Sequence, residues 1–225
     1  MLKKLYSLIH APIKLLLDFL FPISCAGCGE QNTALCSACI ARLPRAPYIS
    51  AANTYALWNY KDPTVKKSLW KLKYRGRTIF ARHFGSALYD AILEELAELA
   101  LFYGKEKPLL IPIPISKKRL RKRGFNQAEL IARHMSLIDG ERSFTLATNV
   151  LYKIKDTPSQ MSIKDKRVRL QNLRGSFAVK DTARVRGKNI ILLDDILTTG
   201  ATFREAKRAL RAAGARKVIC FALAH

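Results

Sequence analysis

The sequence predicts an α/β fold in which helices cover both faces of a parallel sheet, preceded by a small cysteine-rich segment. Short apolar runs typical of buried strands alternate with segments of helical periodicity from Tyr48 to His225. Four of the five cysteines fall within fifteen residues near the N-terminus, in a segment too short to build an apolar core. The 225 residues are therefore expected to divide into residues 1–47 and a domain of residues 48–225.

The first residues, MLKKLYSLIHAPIKLLLDFLFPISC, begin like a signal peptide but lack its continuous apolar centre. Pro12, Lys14 and Asp18 interrupt the apolar residues, and no small-residue cleavage site follows. We expect an N-terminal helix in two short amphipathic pieces around Pro12, packed on the protein or touching a partner. No stretch is apolar enough for an integral membrane protein, so the sequence predicts a cytoplasmic protein. Peripheral contact with the inner membrane is the alternative for this helix.

The cysteine pattern C-x2-C-x7-C-x2-C predicts a structural zinc site. Two residues between cysteines let both thiolates face one ion, and two such pairs complete the S4 tetrahedron that structural zinc prefers. Gly27 and Gly29 are expected to supply unusual backbone angles at the turn. A pair of disulfides is the alternative, although thiols stay reduced in the cytosol. The predicted zinc ligands are Cys25, Cys28, Cys36 and Cys39.

After the linker ARLPRAP, strands and helices are expected to alternate in chain order. TYALWNY is a predicted strand, and a helix should begin at Asp62 and Pro63, residue types favoured at helix N-termini. A long helix to Gly104, the buried strand PLLIPIPI, the helix GFNQAELIARHMSLI and one or two strands in FTLATNVLYKI follow. A polar stretch of about twenty residues, which in a compact domain is usually functional or mobile, precedes SFAV. The strand NIILL, a helix closed by Gly214 and the strand KVICFAL complete the domain.

The net charge is +23, from forty Lys and Arg against seventeen Asp and Glu. Such an excess indicates a polyanionic partner, either nucleic acid or an anionic membrane surface. A surface kept basic only for solubility is the alternative. Between Pro114 and Lys180, however, sixteen basic residues stand against five acidic ones. A charge excess with a definite location favours a binding surface.

Residues 189–203, NIILLDDILTTGATF, join a buried strand to a polar loop and a helix N-terminus. Ligands of parallel α/β folds bind beyond the carboxyl ends of the strands, where Asp194 and Asp195 are expected. A helix N-terminus favours an anion, and Gly200 allows its close approach to the backbone. The segment therefore fits a ribose 5-phosphate, with the sugar hydroxyls on the acids. The phosphate would lie on the loop residues Thr198, Thr199, Gly200, Ala201 and Thr202. An acidic turn that merely caps a helix is the alternative.

The segment IILLDDILTTGAT resembles the motif that binds 5-phosphoribosyl 1-diphosphate (PRPP) in type I phosphoribosyltransferases. Together with LLDFLFP and its cysteines, IPIPISKKRLRKRGFNQAELIAR and TPSQMSIKDKRVRLQNLRGSF, it resembles the ComF family of bacterial competence proteins over essentially the whole chain. The resemblance implies a zinc ribbon joined to a type I phosphoribosyltransferase-like domain, and PRPP accompanied by Mg²⁺. It also implies a cytosolic role in handling single-stranded DNA during natural transformation, with other DNA-uptake proteins such as a helicase as partners.

The run from Lys117 to Arg123 places six cations in seven residues directly after the strand PLLIPIPI. In phosphoribosyltransferases a loop at this place holds the pyrophosphate, so the resemblance puts Ile115, Ser116, Lys117 and Lys118 there. The surplus cations could neutralise a nucleic-acid backbone, with an aromatic side chain beside them and more cations from the long polar stretch. The predicted nucleic-acid residues are Arg119, Arg121, Lys122, Arg123, Phe125, Lys164, Arg167, Arg169 and Arg174. A solvated basic face with Phe125 in the core, and a disordered basic loop, are the alternatives.

Three functions are compatible with these features. The first is a DNA-uptake protein that binds single-stranded DNA and carries a PRPP pocket. The second is an active phosphoribosyltransferase that acts on an unknown base or amine and releases pyrophosphate. No catalytic residue is assigned, because the zinc ribbon stands where such enzymes usually carry a base-recognition hood. The third is a zinc-ribbon docking module for a helicase or a membrane-bound uptake apparatus.

Overall fold

The structure is a computed structural model that describes residues 23–49, 51–103, 106–155 and 175–225. The chain divides into two compact units between Leu43 and Pro44. The expected N-terminal helix around Pro12 and most of the long polar stretch lie outside the described residues. Within the part of the chain that the structure describes, no helix is long and apolar enough to cross a membrane.

The first unit is held by a few turns around its cysteines. An antiparallel bridge joins Ser24 to Gln31, and the N–H of Ala26 donates to the carbonyl of Ala34 over 2.9 Å. A one-turn helix, α1 (Ser37–Ala41), follows directly after Cys36. Gly29 has φ +84°, as the turn requires, whereas Gly27 is not among the residues of positive φ. Only one of the two glycines therefore supplies the expected backbone angle.

The second unit is built on a parallel sheet. In chain order its strands are β1 (Thr54–Trp58), β2 (Leu109–Pro112), β3 (Thr145–Leu146), β4 (Leu151–Lys153), β5 (Phe177–Val179), β6 (Asn189–Ile196) and β7 (Lys217–Ala224). Five of them form one sheet in the order β1-β7-β6-β2-β3, with every neighbouring pair parallel. The remaining two, β4 and β5, form a separate antiparallel ribbon.

The central strands β6 and β7 are apolar on both faces, as strands buried on both sides of a sheet must be. Leu192 and Leu193 are consecutive residues that point to opposite faces, and both are fully buried. Cys220 of β7 lies in the core, and burial raises the pKa of its thiol to about 12.

Helices cover both faces of the sheet. They are α2 (Pro63–Arg75), α3 (Phe80–Tyr103), α4 (Lys117–Arg123), α5 (Gln127–Asp139) and α6 (Ala201–Ala212). Helix α6 packs on the face that carries Leu192, whereas α3 and α5 pack on the sheet from the other face and on each other. Gly85 permits the contact between α3 and α5, because a Cβ there would lie only 2.9 Å from that of His134.

The helix bounds follow from local chemistry. The Asp62 carboxylate accepts hydrogen bonds from the N–H groups of Thr64 (2.8 Å) and Val65 (3.0 Å), so α2 begins where the sequence predicts. Gly76, in the left-handed region at φ +61°, ends it.

One element differs from the sequence prediction, and a second resolves a choice that the prediction left open. The basic run is helix α4 rather than a loop, because Ser116 caps it by accepting a hydrogen bond from the N–H of Arg119. The segment FTLATNVLYKI, predicted to hold one strand or two, contains two, and they belong to different sheets. Neither result can be read from hydrophobic periodicity, because a short cationic helix and a two-residue strand leave little periodic signal.

Candidate functional site

A cavity of about 400 Å³ lies at the carboxyl ends of β2 and β6. The residues after β2, the end of β6, the start of α6, one side of α4 and the C-terminal turn of α2 form its walls. Ligands of parallel α/β sheets bind at this edge. The cavity is also of the size that holds a small organic ligand.

Strand β6 carries both predicted acids into this cavity. Asp195 is 5% exposed, and its Oδ2 lies 2.5 Å from Nζ of Lys73, which α2 contributes from the opposite wall. Asp194 is half-buried, and its Oδ1 accepts a hydrogen bond of 2.8 Å from the N–H of Asp195. The two neighbouring acids therefore differ in their partners, since among the described residues Asp195 has a cation in contact and Asp194 has no ion pair.

This difference separates the acidities of the pair. Burial raises the pKa of Asp194 well above its usual value, and the negative charge of Asp195 raises it further. Burial also acts upward on the pKa of Asp195, but the charge and hydrogen bond of Lys73 outweigh it, so the pKa lies below its usual value. Asp195 is thus held as a carboxylate, and Asp194 is the member of the pair that takes up a proton more readily.

The threonine loop after β6 leads into an uncapped helix. Gly200 is the N-cap residue of α6 with φ +70°, and as a glycine it has no side chain to cap the first N–H groups of the helix. A Cβ at Gly200 would lie 3.2 Å from the guanidinium of Arg204, so the position is restricted by space as well as by φ. The Oγ1 of Thr199 is buried without a hydrogen-bond partner in the described residues. An anion at this helix start would meet backbone N–H donors and a positive helix end.

The structure brings part of the predicted phosphate loop to the cavity. Thr198 and Thr202 line it together with Asp194 and Asp195, whereas Thr199, Gly200 and Ala201 form the turn behind them. Of the predicted pyrophosphate residues, Ile115 lines the cavity and Ser116 is buried as the N-cap of α4. Lys117 and Lys118 are exposed and are not among the lining residues.

Helix α4 turns one cationic face toward the cavity. Arg119, Lys122 and Arg123 line it, and their spacing of three and four residues is that of one helix face. Arg121 is exposed and does not line it. Phe125, just past the helix, is half-buried. The other predicted nucleic-acid residues, Lys164, Arg167, Arg169 and Arg174, lie outside the described residues.

Several lining residues escaped the sequence analysis. They are Tyr60, Lys73, Tyr74, Gly76, Gln127 and Lys153. Gln127 accepts a hydrogen bond from the guanidinium of Arg123, and the Asn126 amide donates to the carbonyl of Ile113 over 3.0 Å. These bonds fix the start of α5 against α4 and the end of β2. The contributions of α2 and β4 come from segments far along the chain, so only the tertiary fold reveals them.

The four cysteines of the first unit form a cluster that could hold a metal ion. Their sulfur atoms all lie within 4.8 Å of one another, and Cys36 Sγ is 3.7 Å from the Sγ of both Cys25 and Cys28. A tetrahedral ion with Zn–S bonds of about 2.3 Å places its sulfurs about 3.8 Å apart, so the donor set fits zinc. All four thiols are free of disulfides.

Backbone donors prepare one of these thiols for the charged form. Burial raises the pKa of Cys25, but N–H groups of Cys36, Cys28 and Gly27 outweigh it and bring the pKa to about 6. The N–H of Cys36 lies 3.4 Å from the Cys25 sulfur. A thiolate is the form in which cysteine binds a metal.

Comparison with known proteins matches this architecture. Residues 89–225 fit the phosphoribosyl transferase domain family. The competence protein ComFC of Bacillus subtilis (strain 168) is 30% identical over 189 residues, which cover 83% of this chain and 70% of that protein. The DNA utilization protein YhgH of Escherichia coli O6:H1 is 27% identical over 198 residues, 86% of this chain and 80% of that protein.

Among solved structures, one similar chain is the glutamine phosphoribosylpyrophosphate amidotransferase of B. subtilis, complexed with ADP and GMP. It is 20% identical with a TM-score of 0.35, over 63% of this chain. The aligned part spans only 26% of that enzyme.

Proposed function

The chain belongs to the ComF family of competence proteins, with a phosphoribosyl transferase domain, and we propose that it handles single-stranded DNA during DNA uptake. The names of its relatives, which refer to competence and to DNA utilization, support this role. The net charge of +23 supplies the attraction for a polyanion. We place the protein in the cytoplasm, with other DNA-uptake proteins such as a helicase as partners.

In this proposal the cavity binds PRPP. The observation that carries the assignment is that two acids, an uncapped helix start and the cationic face of α4 meet in one cavity. The acids suit the ribose hydroxyls and the start of α6 suits the 5-phosphate. Arg119, Lys122 and Arg123 suit the diphosphate, because guanidinium and ammonium groups are the usual phosphate partners.

A divalent cation fits the same cavity. Mg²⁺ takes oxygen ligands and is usually held by one or two carboxylates together with substrate phosphates. Both acids line the cavity, and Asp194, which forms no ion pair with the described residues, is the carboxylate better placed to take such an ion. When bound, the ion would neutralise part of the diphosphate charge.

The first unit is proposed to bind zinc through Cys25, Cys28, Cys36 and Cys39. A segment of this size cannot bury enough apolar surface to fold alone, so the ion would supply its stability.

Calorimetry of Mg²⁺ and PRPP tests the pocket. Asp194→Asn should reduce PRPP affinity at least about tenfold, the usual effect of losing a hydrogen bond from a charged group. This single variant keeps the Lys73–Asp195 pair intact, so it should fold. Asp181→Asn, at an exposed acid outside the cavity, is the matched control and should bind as the wild type does. Equal PRPP affinity in the Asp194 and Asp181 variants would mean that the pocket lies elsewhere.

A second candidate function is an active phosphoribosyltransferase. The observation in its favour is that the rings of Tyr60 and Tyr74 line the same cavity, where they could hold a planar acceptor. Pyrophosphate release with a panel of bases and amines separates the two functions. Release that depends on an added acceptor would establish the enzyme.

A further inference from the structure

Helix α2 exposes two large aromatic side chains side by side. Trp70 is 49% exposed and Tyr74 is 59% exposed, and they lie four residues apart on one helix face with ring centroids separated by 6.2 Å. Single exposed apolar residues are ordinary on protein surfaces, but neighbouring exposed aromatics mark a contact surface.

Each of these rings carries an arginine. The guanidinium of Arg75 lies 5.2 Å from the Trp70 ring centroid, and that of Arg123, from α4, lies 5.4 Å from the Tyr74 centroid. The exposed Lys66 and Lys67 continue the same face of α2 one turn earlier. Helix α2 contains no acid at all. The surface that α2 itself contributes is therefore aromatic and cationic, with no acid between Pro63 and Arg75.

We propose that this surface, formed by Trp70, Tyr74, Arg75 and Arg123 and called here the aromatic platform, binds the unpaired bases of single-stranded DNA. The bases stack on the two rings, and the arginines and nearby lysines pair with the phosphates. Stacking is open to any base but requires that the base be unpaired, so the platform selects single strands over duplex. The inference deepens the proposed function and rests on it, since it names where the single strand binds.

The platform adjoins the PRPP cavity. Tyr74 and Arg123 line the cavity and belong to the platform, so a strand on the platform passes the cavity mouth. The aromatic contact predicted from the sequence is Phe125, which is half-buried and follows α4 in the chain. The exposed rings of α2 are better placed for stacking than Phe125.

The test is the affinity for a labelled single-stranded oligonucleotide at about 0.15 M salt. The double variant Trp70→Ala/Tyr74→Ala should bind at least about tenfold more weakly, because each stacked ring contributes measurably to affinity. The salt dependence should keep its slope, since neither ring neutralises a phosphate. Tyr48→Ala, at a tyrosine 92% exposed elsewhere in the second unit, is the matched control and should bind as the wild type does.

Tryptophan fluorescence gives an independent reading. The chain has two tryptophans, and Trp58 is only 3% exposed, so quenching by an oligonucleotide reports on Trp70. Trp70→Phe keeps an aromatic ring and should retain most of the affinity while losing the quenching. This variant also serves if the double variant does not fold.

The outcomes separate the platform from the proposed function. Wild-type binding with loss in the double variant, and quenching lost in Trp70→Phe, supports the platform. Wild-type binding with unchanged affinity in the double variant and no quenching overturns the platform and leaves the proposed function standing. Failure of the wild type to bind single strands overturns both. Equal affinity for a duplex of the same sequence overturns the stacking mode.

Discussion

At the scale of single residues, the central feature is a pair of adjacent carboxyls with opposite pKa shifts. Nζ of Lys73 lies 2.5 Å from Oδ2 of Asp195 and neutralises it. Asp194 is half-buried next to the negative charge of Asp195. A buried acid beside another acid destabilises the fold when both are ionised. Such a cost is typical of binding sites, where stability is given up for a group that the ligand needs.

This cost predicts a pH-dependent gain in stability from Asp194→Asn. The folded-state pKa of Asp194 is raised, so the destabilisation grows as the pH rises from the unfolded-state pKa and is complete once the pH has passed the folded-state pKa. At neutral pH the ligand-free variant should melt above the wild type, by about 2–4 °C for each kcal/mol recovered. Below about pH 4 the acid is protonated in both the folded and unfolded states, and the gain should vanish. A melting difference that is constant across this pH range would contradict the assignment of the raised pKa.

At the scale of elements, the periodicity of helix α4 turns some of its cations toward the cavity and others toward solvent. Arg119 faces the cavity, whereas Arg121 is exposed and does not line it. Arg119→Gln should therefore lower PRPP affinity by about 10- to 100-fold, the usual range for a hydrogen bond to a charged group. Calorimetry measures this loss, and Arg121→Gln is its control, with PRPP affinity unchanged.

Arg121, which is exposed, is expected to affect DNA binding rather than PRPP binding. Arg121→Gln should reduce the salt slope of single-strand binding by about 0.7, the share of one phosphate contact. The slope is obtained from titrations at several salt concentrations. An unchanged slope would mean that Arg121 belongs to a solvated basic face and does not contact DNA.

Helix α2 carries both Lys73 and the aromatic platform, so its N-cap supports two sites. Asp62→Ala removes the acceptor for two N–H groups and should cost about 1 kcal/mol of unfolding free energy. Denaturant unfolding measures this loss, and Asp62→Asn, which keeps an acceptor oxygen, should restore most of it. If both variants were equally destabilised, the charge of Asp62 rather than its cap would matter.

The sequence predicted most elements because their local signals agree with the fold. Asp62 and Pro63 mark the start of α2, and the apolar run of β6 marks the central strand. The cationic run was harder to predict, since a Ser116 cap decides between helix and loop. Lys73 and the ring of Tyr74 could not be placed at the site from the sequence, because their neighbours are distant along the chain. Lys73 contacts Asp195, over a hundred residues later, and Tyr74 contacts Arg123, about fifty residues later.

At the scale of the whole molecule, we expect zinc binding by the first unit and PRPP binding by the second to be lost independently of each other. Cys25→Ser with Cys28→Ser removes two sulfur ligands and should strip one equivalent of zinc from the purified protein, measured by elemental analysis. The cavity lies entirely in the second unit, so the variant should still bind PRPP by calorimetry. Full zinc retention would contradict the assignment of Cys25 and Cys28 as zinc ligands.

We propose that the protein binds single-stranded DNA beside a cavity for PRPP. Its most direct test is a titration of a labelled single-stranded oligonucleotide at about 0.15 M salt, with and without Mg²⁺ and PRPP, scoring pyrophosphate in the same tubes. We expect saturable, salt-sensitive DNA binding without pyrophosphate release. Weak DNA binding accompanied by pyrophosphate release would contradict it and identify the protein as an enzyme.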